Sequence, residues 1–227
     1  MIVGYKSYID LLDPGLLEEK EILSTGMTRE IERCRAAVTS CAKGLDTAVV
    51  SSGDAGIYGM AGLALEILDE EGLTDSVDAE VVPGIPALAA AAALLGAPLV
   101  HDFAVVSLSD LLTPWETIRR RIEAAAAADF VLVIYNPRSK KRHWQLTEAL
   151  RLVGAHRPER TPVGLVRNAA REGESVLVTS LAELPVERVD MLSILIVGSG
   201  STRVLGGRMV TPRGYLAKYG APSSDQT

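Results

Sequence analysis

Short apolar runs alternate with longer segments whose apolar positions return every three or four residues, and this continues along the chain. The runs TAVVS (47–51), EVV (80–82), FAVVSL (103–108), FVLVIY (130–135), PVGLV (162–166), SVLVT (175–179) and SILIV (193–197) read as strands. Segments 60–71, 87–95, 115–128 and 144–153 read as helices. The chain opens on one more strand-like segment with charges close behind it. Several strand runs are apolar at every position, which implies burial on both faces and an α/β architecture. Before Leu108 the pattern is strand, glycine-rich joint, helix. Beyond Arg160 strands follow one another through short polar connections, which predicts a mixed or antiparallel edge. The change of spacing predicts two lobes. One is an N-terminal α/β lobe over residues 1–106. The other is a C-terminal α/β lobe over 107–227, with a polar, fraying tail after Arg213. No internal repeat or low-complexity linker interrupts them.

The chain has 227 residues and is 48% hydrophobic but only 4% aromatic, so its core is built from Ala, Leu, Val and Ile. A net charge of -6 argues against a nucleic-acid partner, which needs a basic face. It leaves room for an anionic small molecule held by a local cationic cluster. Residues 81–100 carry no charge, yet their prolines and glycines leave a helical part of roughly ten residues, too short for a membrane span. No signal peptide is expected ahead of the first strand. Cys34 and Cys41, on a predicted helix, read as small core thiols, and so few cysteines suit a reducing cytoplasm. His101, His143 and His156 are scattered, and no metal site is expected.

Four polar segments follow strand runs, and a fifth lies near the end of the chain. In VVSSGDAGIYGMAGL (49–63), Gly53, Gly56 and Gly59 permit close backbone approach, and the helix behind them offers its first N–H groups to a ligand. No lysine follows, so this is not a phosphate-binding P-loop, and the spacing is not that of a dinucleotide fingerprint. VPGIPA (82–87) is a rigid connector suited to walling a pocket. YNPRSKKRHWQL (135–146) sets Arg138, Lys140, Lys141 and Arg142 at a helix start, where cations are unfavourable unless they serve a ligand. VRNAAREGE (166–174) and VTPRGY (210–215) complete the set. Polar loops at strand ends are where α/β proteins bind ligands. Taken alone, the 49–63 segment reads equally as a tight strand–helix joint, VPGIPA reads first as a stiff connector, and a solvated helix start is the weaker reading of the cationic segment.

These segments, together with GYKSYIDLL (4–12), STGMTREIERC (24–34) and HDFAVVSLSDLLTPWE (101–116), resemble the precorrin-3B C17-methyltransferase family, whose anaerobic branch acts on cobalt-factor III. The likeness runs from near the first residue to about Tyr215. The pairing of SLSDLLTPW with YNPRSKKR is its specific part.

The resemblance implies the tetrapyrrole-methylase fold: two α/β lobes with mixed sheets and a cofactor cleft between them, in a homodimer. It implies S-adenosylmethionine as methyl donor, S-adenosylhomocysteine as product and a corrin-precursor tetrapyrrole as substrate. By likeness Gly53, Asp54, Ala55, Ile57 and Tyr58 line the cofactor, with Pro86 and Ala87 in the next loop and Tyr135, Asn136, Asn168 and Ala169 on the far side. Pro86 replaces a threonine of relatives and removes a donor there. Arg138, Lys140, Lys141, Arg167 and Arg171 are candidates for the substrate's acetate and propionate groups. His101, Asp110 and Asp54 are candidates for moving macrocycle protons.

Relatives carry a strand, a GPGD-like loop and a helix ahead of the GYKSY segment, whereas Met1 stands on what would be their second strand. Two expectations follow: a start further upstream, or an impaired form that only binds ligand. An inner strand left exposed would invite aggregation. Methylation at another ring position and a nucleotide-binding oxidoreductase are the remaining alternatives. The second needs an acid about 20 residues beyond the glycines, near Asp75 and Asp78.

Overall fold

A computed structural model describes residues 1–220. The chain divides into two compact units, Met1–Pro86 and Ala87–Thr227.

In the first unit, β1 (Ile2–Tyr5) is followed by a one-turn helix α1 (Lys6–Ile9), then β2 (Ile22–Thr25), α2 (Glu30–Ala42), β3 (Ala48–Val50) and α3 (Ala61–Glu70). The three strands are parallel in the order β2-β1-β3, so Tyr5, Thr25 and Val50 finish on one edge. Cys34 and Val38 of α2 pack with Met60, Ile67 and Leu68 around α3. Both cysteines lie on α2 as free thiols, Cys34 buried and Cys41 half-buried. The opening strand is the inner one, paired on both sides.

Residues 80–82, expected as a strand, are unpaired. Beside them, a groove of about 620 Å³ is bordered by Ala48, Val49, Leu68, Val77 and Val81. A strand exists only through its neighbour, and among the described residues none stands next to this segment.

In the second unit, α4 (Ala87–Leu95) and β4 (Gly96–Ala97) lead to β5 (Phe103–Ser107), α5 (Trp115–Ala127), β6 (Val131–Tyr135), α6 (Trp144–Gly154), β7 (Pro162–Arg167), β8 (Ser175–Ser180) and β9 (Ser193–Val197). Then β10 (Arg203–Leu205), β11 (Arg208–Val210) and α7 (Tyr215–Tyr219) follow. The main sheet has the order β5-β6-β9-β7-β8. β5 and β6 are parallel, and the remaining pairings are antiparallel, as the spacing beyond Arg160 predicted.

Alternate residues of β6 explain its unbroken apolar run. Leu132 and Ile134 face Ile118, Ile122, Leu146 and Leu152 of α5 and α6. Val131 and Val133 face Ala91 and Leu95 of α4. Gly164 is required on that second face, because a Cβ there would overlap the Leu95 side chain.

The division falls before the expected boundary at residues 106/107, because α4 packs on β7 and β9 and β5 pairs with β6. The segment after Arg213, expected to fray, forms α7; the rest of that tail lies outside the described residues. No described helix is long and apolar enough to cross a membrane.

Candidate functional site

The glycine turn after β3 is built around Asp54. Its Oδ1 accepts the Gly56 N–H at 2.8 Å and its Oδ2 accepts the Gly84 N–H at 2.9 Å. The Gly84 and Gly56 N–H groups hold the Asp54 carboxyl below the usual carboxylate range against a smaller opposing effect of burial. The two loops touch backbone to backbone. A Cβ at Gly84 would overlap the Gly53 carbonyl oxygen, and one at Gly59 would overlap the Ala55 carbonyl oxygen. Gly53 is left-handed at φ 77°, and Tyr58 adopts φ 53°, a conformation costly for a side chain of its size.

The leading N–H groups of the α3 N-terminus, those of Met60 and Ala61, are already taken within the chain. Met60 N–H donates to Ser51 Oγ at 3.0 Å and Ala61 N–H to the Ala55 carbonyl at 3.0 Å. What residues 53–59 offer instead is open backbone: Gly53, Ile57 and Tyr58 are exposed, while Asp54 and Ala55 are half-buried. A cradle whose shape a single added Cβ would close fits a ligand held through backbone and van der Waals contact.

Sequence reasoning missed Arg33. Only 3% exposed, it donates to Thr25 Oγ1 at 2.7 Å and to the Gly26 carbonyl at 2.8 Å, and it lies 5.9 Å from the Tyr5 ring centre. It thereby locks the strand-end edge of the first unit. A buried arginine at the fourth residue of α2, the last of TGMTREIER (25–33), carries no separate mark in the sequence.

In the second unit, the register Ser107↔Tyr135 and Arg167↔Ser193 places four strand ends on one edge. Asn136 and Asn168 follow β6 and β7, and both are left-handed, at φ 49° and 51°. Asn tolerates this region better than most residues. Asn136 Nδ2 donates to Ser107 Oγ at 3.0 Å, and the Tyr135 hydroxyl accepts the Leu88 N–H at 2.9 Å in the first turn of α4. The structure thus gathers Tyr135, Asn136, Arg167, Asn168, Ala169 and Asp110 at this edge or in the loops leaving it. Ala87 is exposed and Pro86 half-buried just ahead of α4.

The cationic cluster splits. Lys140 and Lys141 are exposed, but Arg138 is committed to the Val186 carbonyl at 2.7 Å. Arg142, 8% exposed, donates from Nη2 to the Asn136 carbonyl at 2.8 Å. Burial pulls its guanidinium below the ordinary value, opposed by the nearby Asp110 carboxylate. Arg167 pairs with Asp190 at 2.9 Å. Burial raises the Asp190 carboxyl, but the Arg167 guanidinium, the Ser193 hydroxyl and the Leu192 N–H outweigh it and hold it below the usual range. Arg171 is exposed on the loop after β7.

His101 is not brought to this edge. It precedes β5 at the end away from Ser107, and its Nδ1 accepts the Asp102 N–H at 2.7 Å. Among the described residues no three His, Cys, Asp or Glu side chains gather to hold a metal ion.

The sequence profile of the tetrapyrrole (corrin/porphyrin) methylases matches residues 5–185. A probable cobalt-factor III C(17)-methyltransferase of Salmonella typhimurium is 50% identical over 215 residues, covering 95% of this chain and 88% of that one. A cobalt-factor III methyltransferase of Priestia megaterium is 49% identical over the whole chain, which spans 42% of that longer relative. The crystal structure of the methyltransferase CobJ superposes with a TM-score of 0.88 at 34% identity, covering 93% of this chain and 87% of that one. A uroporphyrin-III C-methyltransferase from Thermus thermophilus, solved with S-adenosylhomocysteine bound, gives 0.59 at 25% identity, covering 87% and 84%. The two-unit α/β fold with mixed sheets is that of these proteins, and the chain belongs to the tetrapyrrole methylase family.

Proposed function

We propose that the chain is an S-adenosylmethionine-dependent C-methyltransferase that methylates C17 of cobalt-factor III or precorrin-3B, with ring contraction, in cobalamin biosynthesis. The observation that carries this reading is the Asp54 carboxylate joining two glycine loops at Gly56 and Gly84, which leaves an open backbone cradle at a strand-end edge. The names of the relatives supply the substrate class, and the S-adenosylhomocysteine bound to a fold neighbour supplies the cofactor class.

S-Adenosylmethionine, when bound, supplies an electrophilic methyl group. The chain's own residues bind, orient and move protons. Gly53, Ala55, Ile57 and Tyr58 present backbone and side-chain walls, while Asp54 holds that backbone in shape rather than acting as an acid or base. Tyr135, Asn136, Asn168 and Ala169 are ligand contacts at the edge of the second unit. Lys140, Lys141 and Arg171, with Arg167 through its outer face, meet the carboxylates of the macrocycle. Asp110 stands as the group that receives a macrocycle proton. Positioning of this kind supplies about 7–11 kcal/mol of barrier reduction in well-oriented reactions. A homodimer in a reducing cytoplasm belongs to the same proposal, and the two free thiols support that compartment.

Isothermal titration with S-adenosylhomocysteine tests the cradle. Saturable one-site binding that is lost in Gly53→Val supports it, and equal binding by both proteins counts against it.

A further inference from the structure

Asp110 leaves the strand-end edge just past Ser107, and its Oδ2 accepts the Gln145 Nε2–H at 2.8 Å. Gln145 is 4% exposed, near the start of α6, where a nearby carboxylate is favoured by the helix dipole. Its Oε1 is buried with no hydrogen-bond partner, and so is Nε of Arg142. Arg142 meanwhile fixes the left-handed Asn136 turn through the Asn136 carbonyl, and Asn136 holds Ser107 at the root of the Asp110 loop. One donor and one acceptor are therefore left over on the two side chains that attend Asp110. Leftover buried polar atoms cost stability that aliphatic side chains of similar size would recover.

We propose that Gln145 and Arg142 are positioning residues: Gln145 fixes the Asp110 carboxylate and Arg142 fixes the Asn136 turn beside it, so that Asp110 takes the proton released on methylation. This rests on the functional reading above. In the reaction the ring carbon provides the electron pair of the new carbon–carbon bond. The sulfur–methyl bond breaks with its pair staying on sulfur. The macrocycle gains one positive charge, and passing one proton from an acidified N–H, O–H or adjacent C–H bond of its own to an Asp110 oxygen, with the electron pair of that bond staying on the macrocycle, returns its charge to the starting value. Asp110 is half-buried rather than sealed, as a group that meets a ligand must be.

The test compares the parent chain with Gln145→Met, Asp110→Asn, their double variant and Arg142→Lys, using S-adenosylmethionine with cobalt-factor III and with precorrin-3B. Asp110→Asn is expected to lower kcat about 100-fold or more. Gln145→Met and Arg142→Lys are each expected to lower it about tenfold or more, with KM changed less than about twofold. Gln145→Met should melt at or above the parent temperature, and Arg142→Lys serves as the second arm if it does not. In the double variant the Gln145 change adds no further loss, because the group it positions is gone. Multiplicative losses in the double variant, or unchanged kcat in Gln145→Met and Arg142→Lys, overturn the proposal. An active parent with such variants sinks this inference alone. A parent that methylates neither substrate sinks the functional reading and this inference together.

Discussion

The Asp54 carboxylate accepts the Gly84 N–H at 2.9 Å across 30 positions of chain, and the Gly84 Cα rests against the Gly53 carbonyl. Neither contact tolerates a larger group. Gly84→Ala forces the loops apart by placing a Cβ on the Gly53 oxygen, so the S-adenosylhomocysteine Kd is expected to rise about tenfold or more. Asp54→Ala frees two backbone N–H groups and is expected to act the same way. Calorimetry on both variants checks this, and unchanged affinity in Gly84→Ala would remove the loop pair from the cofactor site.

Acid sensitivity follows from the same carboxylate. Asp54 and Asp190 both have folded-state values below the unfolded value of about 3.9. A depressed carboxyl contributes stability that is fully present above the unfolded value and is lost as pH falls through the folded one. The melting temperature is therefore expected to hold from neutral pH to about pH 4 and to drop below it. Asp190→Asn should lower the plateau and shrink that drop. A scan of melting temperature against pH reads both, and an equal drop in the variant would show that Asp190 plays no part.

The four cations of residues 138–142 are expected to separate by experiment as they do in space. Arg138→Ala removes the bond to the Val186 carbonyl and should cost about 2 kcal/mol, or roughly 4–8 °C of melting temperature. Lys140→Ala with Lys141→Ala should leave melting unchanged and weaken corrin-precursor binding, more so at low salt. Equal substrate affinity in the double lysine variant would exclude those side chains from the carboxylate-binding surface.

How much of this was legible in the sequence depended on what each element needs. The runs that became Val131–Tyr135 and Ser193–Val197 are buried on both faces, so an unbroken apolar string marked them. The alanine-rich helix Ala87–Leu95 and its limits were equally plain. Segment 80–82 has a strand's composition, but composition cannot provide the neighbour that makes a strand. β4, β10 and β11 span two or three residues each and leave no periodic trace. At the candidate site, glycines and Asn-containing strand ends marked the turns that the structure places at the strand-end edges. They did not announce that Arg138 and Arg142 are spent on backbone carbonyls, or that His101 stands at the end of β5 away from Ser107. The Asp110–Gln145 bond joins residues 35 apart and is a product of the fold alone.

The two thiols should differ in reactivity. Cys34 is 0% exposed, and burial pushes its thiol up, partly offset by the Arg33 charge, with Glu30 adding to the rise. Cys41 is half-buried. A neutral-pH thiol reagent is expected to modify Cys41 first and Cys34 only after unfolding. Mass spectrometry of the labelled chain checks the order, and prompt modification of Cys34 would contradict the packing of α2 against α3.

The central claim, methyl transfer to C17, is tested most directly by isotope. The chain is incubated with S-adenosylmethionine carrying a 13C methyl group and with cobalt-factor III or precorrin-3B, and the product is read by NMR. The account predicts one new 13C methyl resonance coupled to C17, with S-adenosylhomocysteine formed in equal amount. A label on any other ring carbon, or no label with either substrate, would contradict it.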